Sequence, residues 1–142
     1  MRESESIGRL ISILHRGGHL FINNSLATKD LGYGPFKILI YLGKNEGASQ
    51  QDIVEYFQLD KGTISFLIKK LEENGYINKK KSEKDKRIHQ LYLTEKAHER
   101  LKDFREVSQS WSQKVLNNFS EEERETVFGY LERMIQNISE ED

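Results

Sequence analysis

Asp60-Lys61-Gly62-Thr63-Ile64-Ser65-Phe66-Leu67-Ile68-Lys69-Lys70-Leu71-Glu72-Glu73-Asn74-Gly75 is the stretch on which the reading of this sequence turns. Asp60 has the side chain an N-cap requires, an oxygen able to accept from the free amides of a first helical turn. Gly75 stands where a left-handed C-cap is wanted. Between them Ile64, Leu67, Ile68 and Leu71 recur at three- and four-residue spacing and predict one apolar, buried stripe. At about 100° per residue the opposite face carries Gly62, Ser65, Phe66 and Lys69, with Lys61 and Lys70 on its flanks. Small, hydroxylic, aromatic and cationic groups of this kind can meet base edges and phosphates. For an isolated helix a plainly solvated face is the better reading, and the segment that follows shifts the balance.

After Gly75 the chain continues Tyr76-Ile77-Asn78-Lys79-Lys80-Lys81-Ser82-Glu83-Lys84-Asp85-Lys86-Arg87-Ile88-His89-Gln90-Leu91-Tyr92-Leu93-Thr94. Tyr76 and Ile77, then Leu91 and Leu93 in alternation, predict two strands with an inward apolar edge around a polar loop: a β-hairpin. From Lys79 to His89 there are six Lys/Arg (Lys79, Lys80, Lys81, Lys84, Lys86, Arg87) against Glu83 and Asp85. That segment therefore carries +4 on a chain whose formal net charge is −1. Charge concentrated in this way is the footprint of a phosphate-backbone partner. Just upstream, Ser49 caps a shorter helix with Asp52 in the capping-box position and Ile53, Val54 and Phe57 inward. Ser49 and Gln50 also suit a phosphate at a helix N-terminus, although capping alone accounts for them.

Helix, helix, basic hairpin is a winged helix-turn-helix, and the particular residues resemble the MarR family of bacterial and archaeal transcription regulators. The resemblance rests on Asp60-Lys61-Gly62-Thr63-Ile64-Ser65, on Leu71-Glu72 with Gly75-Tyr76-Ile77, on Asp85-Lys86-Arg87, and on Leu91-Tyr92-Leu93-Thr94. It extends over nearly the whole chain, and the Asp-x-Arg of the wing is its most specific part. It implies that the helix from Asp60 to Asn74 enters a major groove and that Arg87 reaches a minor groove, braced by Asp85. It also implies a homodimer and a small, often aromatic and anionic effector bound between the dimer helices and the head, usually relieving repression. Phe66 departs from the family, standing where many members carry a basic residue; its ring suits a thymine methyl. Ala97 replaces a common Gly, which firms the next helix start. The candidate DNA-binding residues are Ser49, Gln50, Lys61, Gly62, Thr63, Ser65, Phe66, Lys69, Lys70, Lys79, Lys81, Lys84, Asp85, Lys86 and Arg87.

The 142 residues are about one domain's worth. With 36% hydrophobic and 32% charged residues and one proline, the composition is that of a soluble, helix-rich chain with little room for a disordered linker. No apolar run approaches the roughly 20 residues needed to span a bilayer, and Met1-Arg2-Glu3-Ser4-Glu5 begins no signal peptide. The expected location is the cytoplasm, with no membrane partner. Zero cysteines excludes disulfides, cysteine-based zinc sites and thiol switches.

On the N-terminal side, Ile7, Leu10, Ile11, Leu14, Leu20 and Phe21 predict a helix from about residue 5 to 24, with Gly17 and Gly18 marking a bend or a close approach. A turn from Asp30 leads to Pro35 at the first position of a helix whose Phe36, Leu39, Ile40 and Leu42 face inward and which ends by Gly47. On the C-terminal side, Thr94 caps a long helix in which Ala97, Leu101, Phe104, Ser108, Trp111 and Val115 form a heptad-like seam. Ser120 with Glu123 is a capping box opening a last helix with Val127, Leu131, Met134 and Ile138 at the same spacing. The expected organisation is an N-terminal dimerisation helix at 1–30, a winged helix-turn-helix at 31–94 and dimerisation helices at 95–142. The dimer candidates are Ile7, Leu10, Ile11, Leu14, Trp111, Val115, Leu131, Met134 and Ile138; an intramolecular bundle remains the alternative.

His15 and His19 stand one helical turn apart, a spacing that can seat a metal, but no further ligand accompanies them, and neither a metal nor another cofactor is expected. Trp111, Tyr33, Phe21 and Tyr41 suit either an effector pocket or the core. The eight acids from Glu121 to Asp142 would repel DNA and should point away from it. No nucleophile–base order, carboxylate pair or phosphate loop suggests catalysis. Two alternatives stand beside the DNA-binding reading: a winged helix that engages an acidic protein, and a metal-responsive regulator of the same type.

Overall fold

The computed structural model describes residues 4–26 and 31–139, in the order α1 (Ser4–Ser25), α2 (Tyr33–Lys44), α3 (Gln50–Phe57), α4 (Lys61–Glu73), β1 (Ile77–Lys81), β2 (His89–Leu93), α5 (Glu95–Val115) and α6 (Glu121–Ser139). Asp30, where the turn before α2 was expected to begin, and the last three acids of the C-terminal segment lie outside the described residues. None of the described helices is long and apolar enough to cross a membrane. The chain divides into two compact units, Met1–Gln109 and Ser110–Asp142.

The core of the first unit is built from the apolar stripes anticipated for α4 and the hairpin. Ile64, Ile68 and Leu71 of α4 are buried together with Tyr76, Ile77, Leu91 and Leu93, and with Ile53 of α3. Leu67 is half-buried against them. The end of α4 shows why Gly75 belongs where it does. Its φ is +78°, and the amides of Gly75 and Tyr76 donate back to the carbonyls of Glu72 (3.1 Å) and Leu71 (2.9 Å), satisfying the last turn. At the other end Asp60 Oδ1 accepts from Thr63 N at 2.7 Å. β1 and β2 pair antiparallel with Ile77 opposite Leu93 and Lys81 opposite His89. The segment before α3 adds a short bridge between Ser49 and Gln90, with Gly47 N and Leu91 N exchanging bonds across to Leu91 O (2.8 Å) and Ala48 O (2.9 Å). This bridge ties the wing to the helix-turn-helix.

Several expectations shift by a residue or two. α2 starts at Tyr33, so Pro35 is its third residue rather than its first. The placement costs nothing, because the first helical bond is that of Phe36 N to Gly32 O, and Pro35 lacks only an amide the first turn leaves free. Ile38 rather than Ile40 is fully buried, since α2 meets neighbours on more than one side and its inward face is wider than the three-four pattern drew. In α1, Leu20 is exposed and Phe21 half-buried, while Ile22, and Leu26 just past the helix end, enter the core. α1 runs unbroken through Gly17 and Gly18, and Gly18 is buried.

The heptad-like seam of α5 does two things. Its first half, Ala97, Leu101 and Phe104, joins the core of the first unit, with Phe104 edge-on to Phe36 at 5.8 Å. Beyond it Trp111 is half-buried and Val115 exposed. Thr94 caps α5 through Ala97 N (3.3 Å). In the second unit the Ser120–Glu123 capping box is formed in both directions, at 2.8 and 3.1 Å. Leu116 is buried there, but no described residue of α6 is.

Candidate nucleic-acid interface

The outward face of α4 is as the spacing drew it: Lys61, Gly62, Thr63, Ser65, Phe66, Lys69 and Lys70 are all exposed, Phe66 to 66%. Phe66 is the one large apolar side chain among the small, hydroxylic and cationic groups of that face. Two of the hydroxyls are already engaged. Thr63 Oγ1 donates to Asp60 Oδ2 at 2.9 Å, reinforcing the cap, and Ser65 Oγ accepts from Gln50 Nε2 of α3. The second bond links the two helices at the exposed face, so Gln50 and Ser65 act as one polar unit. Ser49 is held by its capping box, accepting from Asp52 N (3.1 Å) and donating its own amide to Asp52 Oδ2 (2.9 Å). Capping thus accounts for the Ser49 side chain. Asp60, accepting first from the Thr63 amide and then from its hydroxyl, has its carboxyl held below the ordinary carboxylate range.

The wing tip is a built turn. Ser82 Oγ accepts from the amides of Lys84 (3.3 Å) and Asp85 (3.4 Å), and Ser82 N donates to Ile88 O at 2.9 Å. Asp85 then takes Arg87 in a fork: Nε to Oδ1 and Nη2 to Oδ2, both 3.0 Å, with Arg87 N adding a third bond to Oδ1 at 3.0 Å. The Arg87 side chain is nevertheless 90% exposed. Its guanidinium holds the Asp85 carboxyl below the usual range, and the carboxylate raises Arg87 in turn. The arrangement fixes a cation in space while leaving it in solvent, which suits insertion into a groove.

The remaining lysines differ in their freedom. Lys79 Nζ lies 3.9 Å from Glu72 Oε1, so part of its charge is spent within the protein. Lys80 lies over the Tyr92 ring at 5.1 Å. Among the described residues no ion pair engages Lys61, Lys69, Lys70, Lys81, Lys84 or Lys86. Between the start of α3, the start of α4 and the wing lies a cleft of about 370 Å³ lined by Ser49, Gln50, Gln51, Val54, Lys61, Arg87, Ile88 and His89. Gln51, Ile88 and His89 were not anticipated. For His89 a signal existed: it precedes Leu91 and Leu93 by two and four residues and so stands on the same side of β2, at its exposed end.

The other candidates are placed plainly. Ile7, Leu10, Ile11 and Leu14 on α1, Val115 on α5, and Leu131, Met134 and Ile138 on α6 are exposed large apolar residues. His15 and His19 pack against Tyr33, at 6.1 and 4.5 Å between ring centroids, and among the described residues no group of three His, Cys, Asp or Glu side chains comes together. Phe21, Tyr33, Tyr41 and Trp111 are half-buried.

The family model that matches this chain is that of the MarR family, over residues 33–89, from the start of α2 to the start of β2. The HTH-type transcriptional regulator BilQ of Clostridium symbiosum is 30% identical over 115 residues, covering 81% of this chain and 80% of that protein. A MarR transcriptional regulator from Methanosarcina mazei Go1 superposes with a TM-score of 0.85 at 30% identity, over 98% of this chain and 100% of that one. A MarR family transcriptional regulator from Listeria monocytogenes, complexed with 26mer DNA, superposes at 0.83 with 25% identity, over 99% and 92% of the two chains. The fold is thus that of known regulators, and the chain belongs to the MarR family of transcriptional regulators.

Proposed function

We propose that this protein is a sequence-specific transcriptional repressor that binds a pseudo-palindromic operator as a homodimer, with α4 in the major groove and the wing in the adjoining minor groove. The observation that carries the reading is the forked Asp85–Arg87 pair at an exposed wing tip beside the uncovered polar face of α4. A fully exposed arginine needs no such brace for solubility; holding it in one geometry serves recognition. The Listeria monocytogenes relative in complex with DNA supports the docking by likeness. The dimer rests on the apolar residues that α1 and α6 leave in solvent. In a two-fold dimer the recognition helices enter grooves about 34 Å apart, which is why the operator is pseudo-palindromic.

Release from DNA is assigned to a small, aromatic, anionic effector that binds one dimer state better than the other. Lys37 supports this: it is half-buried, its pKa lowered by burial, and it lies 5.6 and 5.3 Å from the Tyr33 and Phe57 ring centroids with no carboxylate partner among the described residues. The test of the DNA reading is fluorescence anisotropy on a labelled duplex from upstream of the gene and on a scrambled duplex, at two salt concentrations. Preference for the upstream duplex that survives added salt is expected. Equal, steeply salt-sensitive binding to both would leave only backbone attraction and would overturn sequence-specific recognition at that promoter.

A further inference from the structure

We infer that Phe66 is a specificity-determining residue, its ring seated on the C5-methyl group of a thymine in the major groove. The inference rests on the DNA-binding reading above, in which α4 enters that groove, and deepens it by naming the base chemistry the helix selects. Every base pair shows hydrogen-bond donors and acceptors in the major groove, but the thymine methyl is the one apolar group there. The outward face of α4 likewise carries one large apolar side chain, Phe66, 66% exposed. A ring pressed on a polar base edge dehydrates a donor or acceptor without replacing its partner, which is unfavourable. The same ring on a methyl group removes apolar surface from water on both sides.

The place of Phe66 along the helix suits this contact. It is the sixth of the 13 residues of α4, in the half of a recognition helix that meets base edges. Helical side chains lean toward the N-terminus, which brings the Phe66 ring over the turn that contains Gly62. Gly62 has no side chain to shield it. The polar groups beside the ring are already engaged: Thr63 Oγ1 donates to Asp60 Oδ2 at 2.9 Å, and Ser65 Oγ accepts from Gln50 Nε2. Asp60, the carboxylate at this end of the helix, also accepts from Thr63 N at 2.7 Å, and no acid stands between Lys61 and Lys70. Lys61 and Lys70 on the flanks suit the phosphates that rim the groove, which leaves the centre of the face to the ring.

A methyl contact discriminates in a way that hydrogen bonding does not. Deoxyuridine keeps the thymine O4 and its pairing but lacks the methyl, so it loses the contact and nothing else. Cytosine lacks the methyl as well, whereas 5-methylcytosine has it.

The experiment begins with duplexes selected from a random library by the full-length protein, so that no promoter need be known. Each thymine of the selected consensus is then replaced singly by deoxyuridine, and affinities are read by fluorescence anisotropy. Wild type is expected to lose about three- to fivefold at one thymine position per half-site, the worth of one buried methyl group. At that position 5-methylcytosine is expected to bind more tightly than cytosine by a similar factor. Phe66→Ala is expected to bind the thymine duplex more weakly and to treat thymine and deoxyuridine alike there, while the other positions behave as in wild type. Phe66→Leu, which keeps an apolar group, is expected to retain part of the difference. The side chain is exposed, and circular dichroism checks that each variant folds. A scan in which no thymine is sensitive, or a deoxyuridine effect equal in wild type and Phe66→Ala, overturns the role of Phe66 and leaves the DNA reading standing. A selection that enriches no sequence overturns both.

Discussion

Arg87 is nine-tenths exposed and yet held by three hydrogen bonds to one carboxylate, a combination in which charge and position can be separated by substitution. Arg87→Ala removes both, and is expected to weaken operator binding roughly ten- to a hundredfold while relaxing preference at the bases it contacts. Asp85→Asn keeps the cation, frees it to move and raises the local charge by one. Binding to scrambled duplex should then strengthen while the operator-to-scrambled ratio falls. Loss of affinity for both duplexes alike would contradict the bracing role. The brace is insensitive to mild acid. Arg87 first, then its amide, holds the Asp85 carboxyl below the ordinary range, so the bond contributes fully above that range and is lost only as pH falls through the depressed value. Carbon-13 NMR of the Asp85 carboxyl is expected to show a midpoint below that of a free aspartate, which also keeps Asp85 out of any change in DNA affinity between pH 8 and pH 6.

The elements show where local sequence was sufficient and where it was not. α4 was legible from end to end, because its cap, its stripe and its terminator are all short-range signals. Gly75 illustrates this. A Cβ at this position meets nothing within 4 Å, so its φ of +78° is the whole of the requirement. Gly75→Ala is expected to cost about 1–2 kcal/mol in urea unfolding, and Gly75→Asn distinctly less, since asparagine tolerates the left-handed region. Similar losses for both would point to a packing role instead. Ile68, fully buried beneath the same helix, belongs to the other class of cost, and Ile68→Ala should lose about 2–5 kcal/mol in the same assay. What local signals could not give was which neighbour covers a stripe. The seam of α5 read as one surface, but Ala97, Leu101 and Phe104 turn into the core whereas Val115 stays in water. Likewise the tie between Gln50 and Ser65, and the place of His89 in the cleft, depend on a register between segments that are distant in sequence.

At the scale of the molecule, the fact that most needs a partner is the exposure of α6. Its 19 residues include Phe128, Tyr130, Leu131, Met134, Ile135 and Ile138, all exposed, and none of its described residues is buried within the chain. Helices draw most of their stability from packing an apolar face, and α6 packs only the half-buried Val127 and Arg124, so its apolar face needs another surface. α1 leaves Ile7, Leu10, Ile11 and Leu14 uncovered in the same way. The homodimer proposed above covers such faces with a second copy of the chain and closes with two-fold symmetry. DNA binding then becomes bivalent, and the gain from tethering two heads is of order 10²–10⁴ in affinity when both half-sites are engaged. Leu131→Glu with Ile135→Glu places like charges on that face without touching a buried residue, so the winged helix keeps its own fold. Sedimentation equilibrium should find wild type dimeric and the double variant monomeric. On a full-site duplex the variant should lose two or more orders of magnitude in affinity, whereas on a half-site duplex the two proteins should bind alike. A variant that remains dimeric would assign the interface elsewhere. A monomer that still binds the full site at wild-type strength would show that one head suffices, and that the symmetric operator proposed here has no physical basis.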